Sequence, residues 1–157
     1  MTITEATTAE DYSGGRALIE EYTAVLGVDL YFQNFGGELA NLRDVYGPPA
    51  GCLLLAREGA AAVGCVAVRR TEQEICEMKR LYVRPEQRGR GVGRSLAVAA
   101  LARARGLGYR RMVLDTLPAM SKAQSLYESI GFREITSYYH NPLPGVRYLA
   151  VDLVVTV

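Results

Sequence analysis

Histidine and cysteine are scarce in this chain of 157 residues, with one His (His140) and three Cys. The cysteines, Cys52, Cys65 and Cys76, form neither a CxxC pair nor a His/Cys cluster, so no metal site is expected. Each lies in an apolar run and reads as a small buried hydrophobe in a reducing cytosol. No stretch approaches the roughly 20 apolar residues that span a bilayer. The amino-terminal MTITEATTAED lacks the basic start and apolar core of a signal peptide. A cytoplasmic protein without membrane association is the expectation. A large excess of one charge is missing too. Eighteen Lys and Arg against 17 Asp and Glu give a formal net charge of +1, too little for a general binder of nucleic acid or membrane surfaces.

What is present suits one ordinary folded domain over 1–157, with 49% hydrophobic and 22% charged residues of mixed sign. The positive charge is concentrated. Between Glu77 and Arg94 stand six basic residues (Lys79, Arg80, Arg84, Arg88, Arg90 and Arg94) against Glu77 and Glu86, a window of +4 that leaves −3 elsewhere.

The hydrophobic pattern predicts a first edge strand at 2–6 and a helix opened by Thr8 and Asp11 and running to about Leu26, weakened by Gly14 and Gly15. An aromatic loop, LYFQNF, follows at 30–35. A second helix is predicted from Glu38 to Val45, stopped by Gly47, Pro48 and Pro49. Apolar runs at 52–57 and 61–69 around Glu58 and Gly59 read as a hairpin, and 75–83 as a further strand ended by Pro85. Leu96, Ala97, Ala100, Leu101, Ala104 and Leu107 recur at helical spacing within 92–107. A buried strand at 111–116, a helix over 121–130 and strands at 132–136 and 147–155 complete the chain. The order β, α, α, β, β, β, α, β, α, β, β implies an α/β protein with a central mixed sheet and helices on both faces.

Residues 87–93 read QRGRGVG. A P-loop needs a lysine after its last glycine, and none follows here. A dinucleotide fingerprint needs GxGxxG, whereas Gly89, Gly91 and Gly93 alternate, although Asp115 stands roughly where a ribose-binding acid would. A bare strand-to-helix turn does not require three glycines and two arginines. Glycines let successive N–H groups converge, the helix that follows adds its positive dipole end, and Arg88 and Arg90 add bidentate donors. The stretch suits a phosphate or pyrophosphate.

The segment RLYVRPEQRGRGVGRSL, followed by AQSLYESIGF, resembles the GNAT superfamily of N-acetyltransferases. Arg88, Gly89, Arg90, Gly91, Val92 and Gly93 satisfy its [Q/R]xxGx[G/A] signature. Ala123, Leu126, Tyr127, Gly131 and Phe132 match its second pattern, and the element order agrees with the GNAT fold over nearly the whole chain. The resemblance implies acetyl-coenzyme A as donor. Backbone N–H groups from Arg88 to Arg94 would hold its pyrophosphate, and Leu81, Tyr82 and Val83 would pair with its pantetheine arm. An N–H near Leu81 or Tyr82 would polarise the thioester oxygen. That strand would splay from RMVLDT to open a V-shaped cleft. Many members carry Asn where this chain has Met120; Ser121 is a substitute hydrogen-bonding candidate.

Acetyl transfer to a primary amine needs an ammonium of pKa about 10 to lose a proton and a thiolate of about 8.5 to gain one. By resemblance Tyr127 is the acid and Glu77, eleven residues before Arg88, the base, with His140 or a water in reserve. Strand alternation places Glu77 with Ile75, Lys79, Leu81 and Val83, opposite Cys76, Met78, Arg80 and Tyr82. The acceptor would meet Tyr31, Phe32 and Phe35 of the first loop and Tyr138, Tyr139, His140, Arg147 and Tyr148 of the late strands. Aromatic walls with an arginine suit a small amine or an amino acid with a carboxylate. The other reading is a coenzyme A-binding sensor or interaction module without turnover. The apolar last strand could pair with a second copy, as a homodimer, or be covered internally.

Overall fold

The computed structural model describes residues 1–27 and 35–154. The predicted positions of Tyr31 and Phe32 lie outside them. Strand β1 (Thr2–Glu5) leads into α1 (Ala9–Leu26), which starts with the capping box read from the sequence: the Asp11 N–H donates to Thr8 Oγ1 at 3.1 Å and the Thr8 N–H to Asp11 Oδ2 at 3.2 Å. Gly15 costs α1 helical propensity for a packing reason. A Cβ there would stand 2.5 Å from Leu53 Cδ2, so glycine lets the helix approach the sheet without the Leu53 side chain moving.

The helix predicted over Glu38–Val45 is two short ones, α2 (Phe35–Ala40) and α3 (Leu42–Tyr46). Asn41 separates them at φ −135°, and its side-chain amide donates to the Gly37 carbonyl at 3.1 Å. Then come β2 (Cys52–Glu58), β3 (Ala61–Glu72), β4 (Ile75–Val83) and a 3₁₀ turn at Pro85–Gln87. Helix α4 (Val92–Gly106), β5 (Arg111–Thr116), α5 (Ser121–Ser129), β6 (Arg133–Ile135) and β7 (Arg147–Asp152) follow. The last strand ends three residues before its predicted end. At Leu153 the backbone N–H turns to the Arg110 carbonyl, at 2.8 Å, while the side chain enters the core.

The sheet runs β1-β2-β3-β4-β5-β7-β6, with β4 and β5 parallel and all other pairs antiparallel. Both edges of β7 are paired within the chain, so this apolar strand is covered internally. One face packs Cys52, Leu54, Val66, Val68, Cys76 and Met112 under α4 and α5. The other packs Leu53, Leu55, Cys65, Ala67 and Tyr82 under α1 and α3. This is a mixed sheet with helices on both faces. No helix among the described residues is long and apolar enough to cross a membrane.

Cys52, Cys65 and Cys76 are fully buried, and burial pushes each thiol up to about 12. The folded protein at pH 8 is therefore expected to leave all three unmodified by an aromatic disulfide. In guanidinium, where thiols return to about 8.5, all three should react. Absorbance of the released thiolate counts them, and one fast equivalent in the native protein would contradict this packing.

Candidate functional site

Strand β4 is paired with β5 only through Ile75–Arg111, Cys76–Met112 and Glu77–Val113. Beyond Glu77 its β5-facing edge has no strand partner among the described residues, and the two strands part as the arms of a V. A bulge accompanies the parting. Between the Ala67–Lys79 and Cys65–Tyr82 pairs, β4 carries one residue more than β3, and Arg80 takes φ +60°. The bulge overturns the simple alternation expected along β4. Leu81 and Val83 pack on the α4 side with Cys76 and Met78, while Glu77 and Tyr82 belong to the opposite face. The left-handed backbone at Arg80 is held from both ends. Its guanidinium makes a buried two-pronged pair with Glu38, both contacts at 2.9 Å, and lies 5.5 Å from the Phe35 ring centre. Its carbonyl accepts from Cys65 Sγ at 3.3 Å.

At the end of β4 the chain turns into α4 through the glycine run. Gly89 and Gly91 stand at φ +80° and +77°, where a side chain would be strained, and open space surrounds the place of each missing Cβ. Gly93 is instead an ordinary helical residue beside Val83 and Leu126. Among the described residues no acceptor takes the N–H groups of Gly89 through Arg94, and α4 opens without a side-chain cap. Open amides at a helix start are groups suited to an anion. Arg88 folds back, its Nε donating to the Val83 carbonyl at 3.0 Å and its guanidinium 5.8 Å from the Tyr82 ring centre. Arg94 donates to Ser129 Oγ at 2.8 Å, tying α4 to α5.

Within the V, Tyr127 of α5 lines a narrow slot with Leu81 of β4, Thr116 of β5, Tyr22 of α1 and Met120. The Tyr127 phenol is pushed well above its ordinary value by burial, with the charge of Asp115 adding to this, and its ring packs edge-on to Phe132 at 5.7 Å. Thr116 Oγ1 is buried at the slot with no hydrogen-bond partner among the described residues. Met120, which precedes α5, lines the slot, whereas Ser121 is an exposed first helical residue outside the lining.

A wider open cleft of about 1270 Å³ lies where the V closes. No helix lines it. Its walls include Arg69, Glu77, Lys79, Val113, Tyr138 and Tyr139. Glu77 is 1% exposed. Its Oε1 accepts from Arg69 Nε at 2.9 Å and lies 3.9 Å from Lys79 Nζ, and its Oε2 accepts from the Tyr138 hydroxyl. Burial draws the Lys79 ammonium below the ordinary lysine value, and the Glu77 charge opposes this. On the other arm, Asp115 Oδ2 accepts from the Tyr139 hydroxyl and from Asn141 Nδ2, the latter at 2.8 Å. The rings of Tyr138, Tyr139 and Tyr148 meet at 5.3–5.9 Å. The Tyr148 hydroxyl donates to the Tyr139 carbonyl at 2.9 Å. The β6–β7 connection is thereby a strap with one phenol fixed to a carboxylate on each arm of the V.

Several residues expected at the acceptor are elsewhere. Arg147 shares the α5-facing side of β7 with Leu149, and its guanidinium is taken up by Gln124, Glu128 and Glu134 at 2.8–3.2 Å. It does not line the cleft. His140 is exposed and lines neither slot nor cleft. Phe35 supports Arg80. The sequence did not single out Arg69, Thr116 or the partnership of Asp115 with Tyr139. Asp115 had a signal, a lone acid near the end of an apolar strand; Arg69 had none, because its pairing with Glu77 depends on register.

Against known proteins, the family model described as Acetyltransferase (GNAT) family matches residues 16–132. An uncharacterized N-acetyltransferase of Schizosaccharomyces pombe is 44% identical over 155 residues, which is 98% of this chain and 95% of that protein. Human N-acetylaspartate synthetase is 33% identical over 111 residues, 69% of this chain but 37% of its own length. The structure of the PaiA N-acetyltransferase of Thermoplasma acidophilum, solved in complex with coenzyme A, superposes with a TM-score of 0.71 at 15% identity over 97% of this chain and 99% of that one. With the parted strands and the open amides of the glycine turn, these likenesses establish that the chain belongs to the acetyltransferase (GNAT) family.

Proposed function

We propose that this protein transfers the acetyl group of acetyl-coenzyme A to the primary amine of a small molecule or amino acid. The observation that carries the reading is the parting of β4 from β5 after Glu77, with six open amides at one end of the V and Tyr127 within it. The residues fit coenzyme A. The N–H groups of Gly89 to Arg94 would receive its pyrophosphate, and the unpaired edge of β4 from Leu81 to Val83 offers main-chain groups to an extended arm. The orphaned Thr116 hydroxyl gives the slot one further polar contact.

Acetyl-coenzyme A supplies an activated acyl thioester; the protein supplies orientation and proton management. Tyr127 donates a hydrogen bond to the leaving sulfur. Its raised pKa keeps the phenol protonated until negative charge develops there, and the same burial raises the proton affinity of the thiolate. Glu77 is the proton sink for the acceptor ammonium, with Arg69 at 2.9 Å and Lys79 at 3.9 Å from its Oε1 at the vertex. The aromatic strap walls the acceptor side. N-acetylaspartate synthetase, whose name points to an amino-acid acceptor, is a relative in keeping with this class.

Thiol release from acetyl-coenzyme A with L-aspartate, L-lysine, spermidine, benzylamine and a lysine peptide tests the reading. Turnover of at least one is expected. Tight coenzyme A binding with no release on any would leave the binding module. Tyr127→Phe should lower kcat by about 10²-fold and leave coenzyme A affinity within about twofold by calorimetry. Unchanged kcat would remove Tyr127 as the acid. Gly91→Val should do the reverse, weakening coenzyme A binding by about tenfold through the roughly 1–2 kcal/mol a side chain costs at left-handed φ. Wild-type affinity in that variant would place the pyrophosphate elsewhere.

A further inference from the structure

Glu77 borders the cleft but at 1% exposure offers an acceptor almost no surface. Both oxygens of Glu77 are engaged, Oε1 by Arg69 with Lys79 nearby and Oε2 by Tyr138. Of these partners a guanidinium and an ammonium have no lone pair with which to take a proton, whereas a phenol oxygen can accept one proton while giving up another. Tyr138 is half-buried, lines the open cleft, and has its ring fixed against Tyr139 and Tyr148 at 5.3 and 5.4 Å. We propose that Tyr138 is a catalytic residue of the transfer, a proton relay that carries the acceptor's proton across its phenol to the buried Glu77. The inference rests on the transferase reading above.

The acceptor arrives as an ammonium. One N–H proton passes to Tyr138 Oη as the Tyr138 proton passes to Glu77 Oε2, leaving a free amine, an intact phenol and a neutral Glu77. The nitrogen lone pair then forms the C–N bond, and the C–S electron pair leaves with sulfur, which takes the Tyr127 proton. The new amide nitrogen sheds its second proton, restoring Tyr127, and Glu77 returns its own to solvent by the same relay. One amide, one thiol and one released proton result.

Burial and the Glu77 charge hold the Tyr138 phenol above its ordinary value, so a free phenolate is disfavoured and the two transfers move together. Among the described residues, the charged and titratable groups around the pair include Arg69 from β3, Lys79 from β4, Asp115 from β5, Tyr139 from the strap and Tyr148 from β7.

The test compares Tyr138→Phe, Glu77→Gln and the double variant, with L-aspartate or the fastest amine of the panel as acceptor. Each single variant is expected to lose about 10²-fold in kcat with coenzyme A affinity kept, and the double variant to lose no more than either, because both remove one pathway. Wild-type kcat in Tyr138→Phe, or losses that multiply in the double variant, would overturn the relay. If Glu77→Gln alone is impaired, the base reading stands and the relay falls; if no amine turns over, both fall. Should Tyr138→Phe not fold, the unmodified protein decides by its rate in H₂O–D₂O mixtures. A curved dependence on deuterium fraction marks two protons moving together, and a straight line overturns the proposal.

Discussion

Everything at this site depends on two parallel strands that stop bonding to each other. An unpaired strand edge inside a protein is costly unless another partner takes its N–H and C=O groups. The chain sustains such an edge from Met78 onward, beyond the last β4–β5 pair, and supports it from its flanks. The bulge at Arg80 turns the backbone, the Glu38 pair and Cys65 thiol hold the turned residue, and Arg84 grips Glu21 of α1 at 3.0–3.2 Å. A buried ion pair adds little net stability but strongly penalises conformations that break it. At Arg80 it serves to fix a geometry that the backbone alone would not choose.

The polar groups are divided along the V. Toward the open end of the V stand main-chain amides and the Thr116 hydroxyl. Toward the paired end stand carboxylates with phenols and cations on them. This division follows from strand direction. The parallel crossover from β4 through α4 to β5 puts a helix N-terminus at the open end of the V and leaves Glu77 at the paired end, beside the cleft.

Much of this was legible in the sequence, because it was local. The Thr8–Asp11 cap, the hairpin of β2 and β3, the glycine run and the Tyr127 helix are each written in adjacent residues. What escaped was set by register or by neighbours far along the chain. One extra residue at Arg80 sent Leu81 and Val83 to the face opposite their expected one. Arg147 looked like a carboxylate reader until β7 turned it toward Glu128 and Glu134 on neighbouring elements. Asn41 divided a helix whose composition gave no Gly or Pro at the break.

The double attachment of the strap has a thermodynamic consequence. The slot inside the V is narrow, about 30 Å³, so an acyl arm entering it would press on Met120 and on both strands. Tyr138 and Tyr139 are consecutive residues fastened to opposite arms, and any spreading is felt at both fastenings. Occupancy of the slot and the shape of the acceptor cleft are then linked variables. By reciprocity, an amine that grips the cleft more tightly after the arms have moved must tighten the hold on the donor by the same factor.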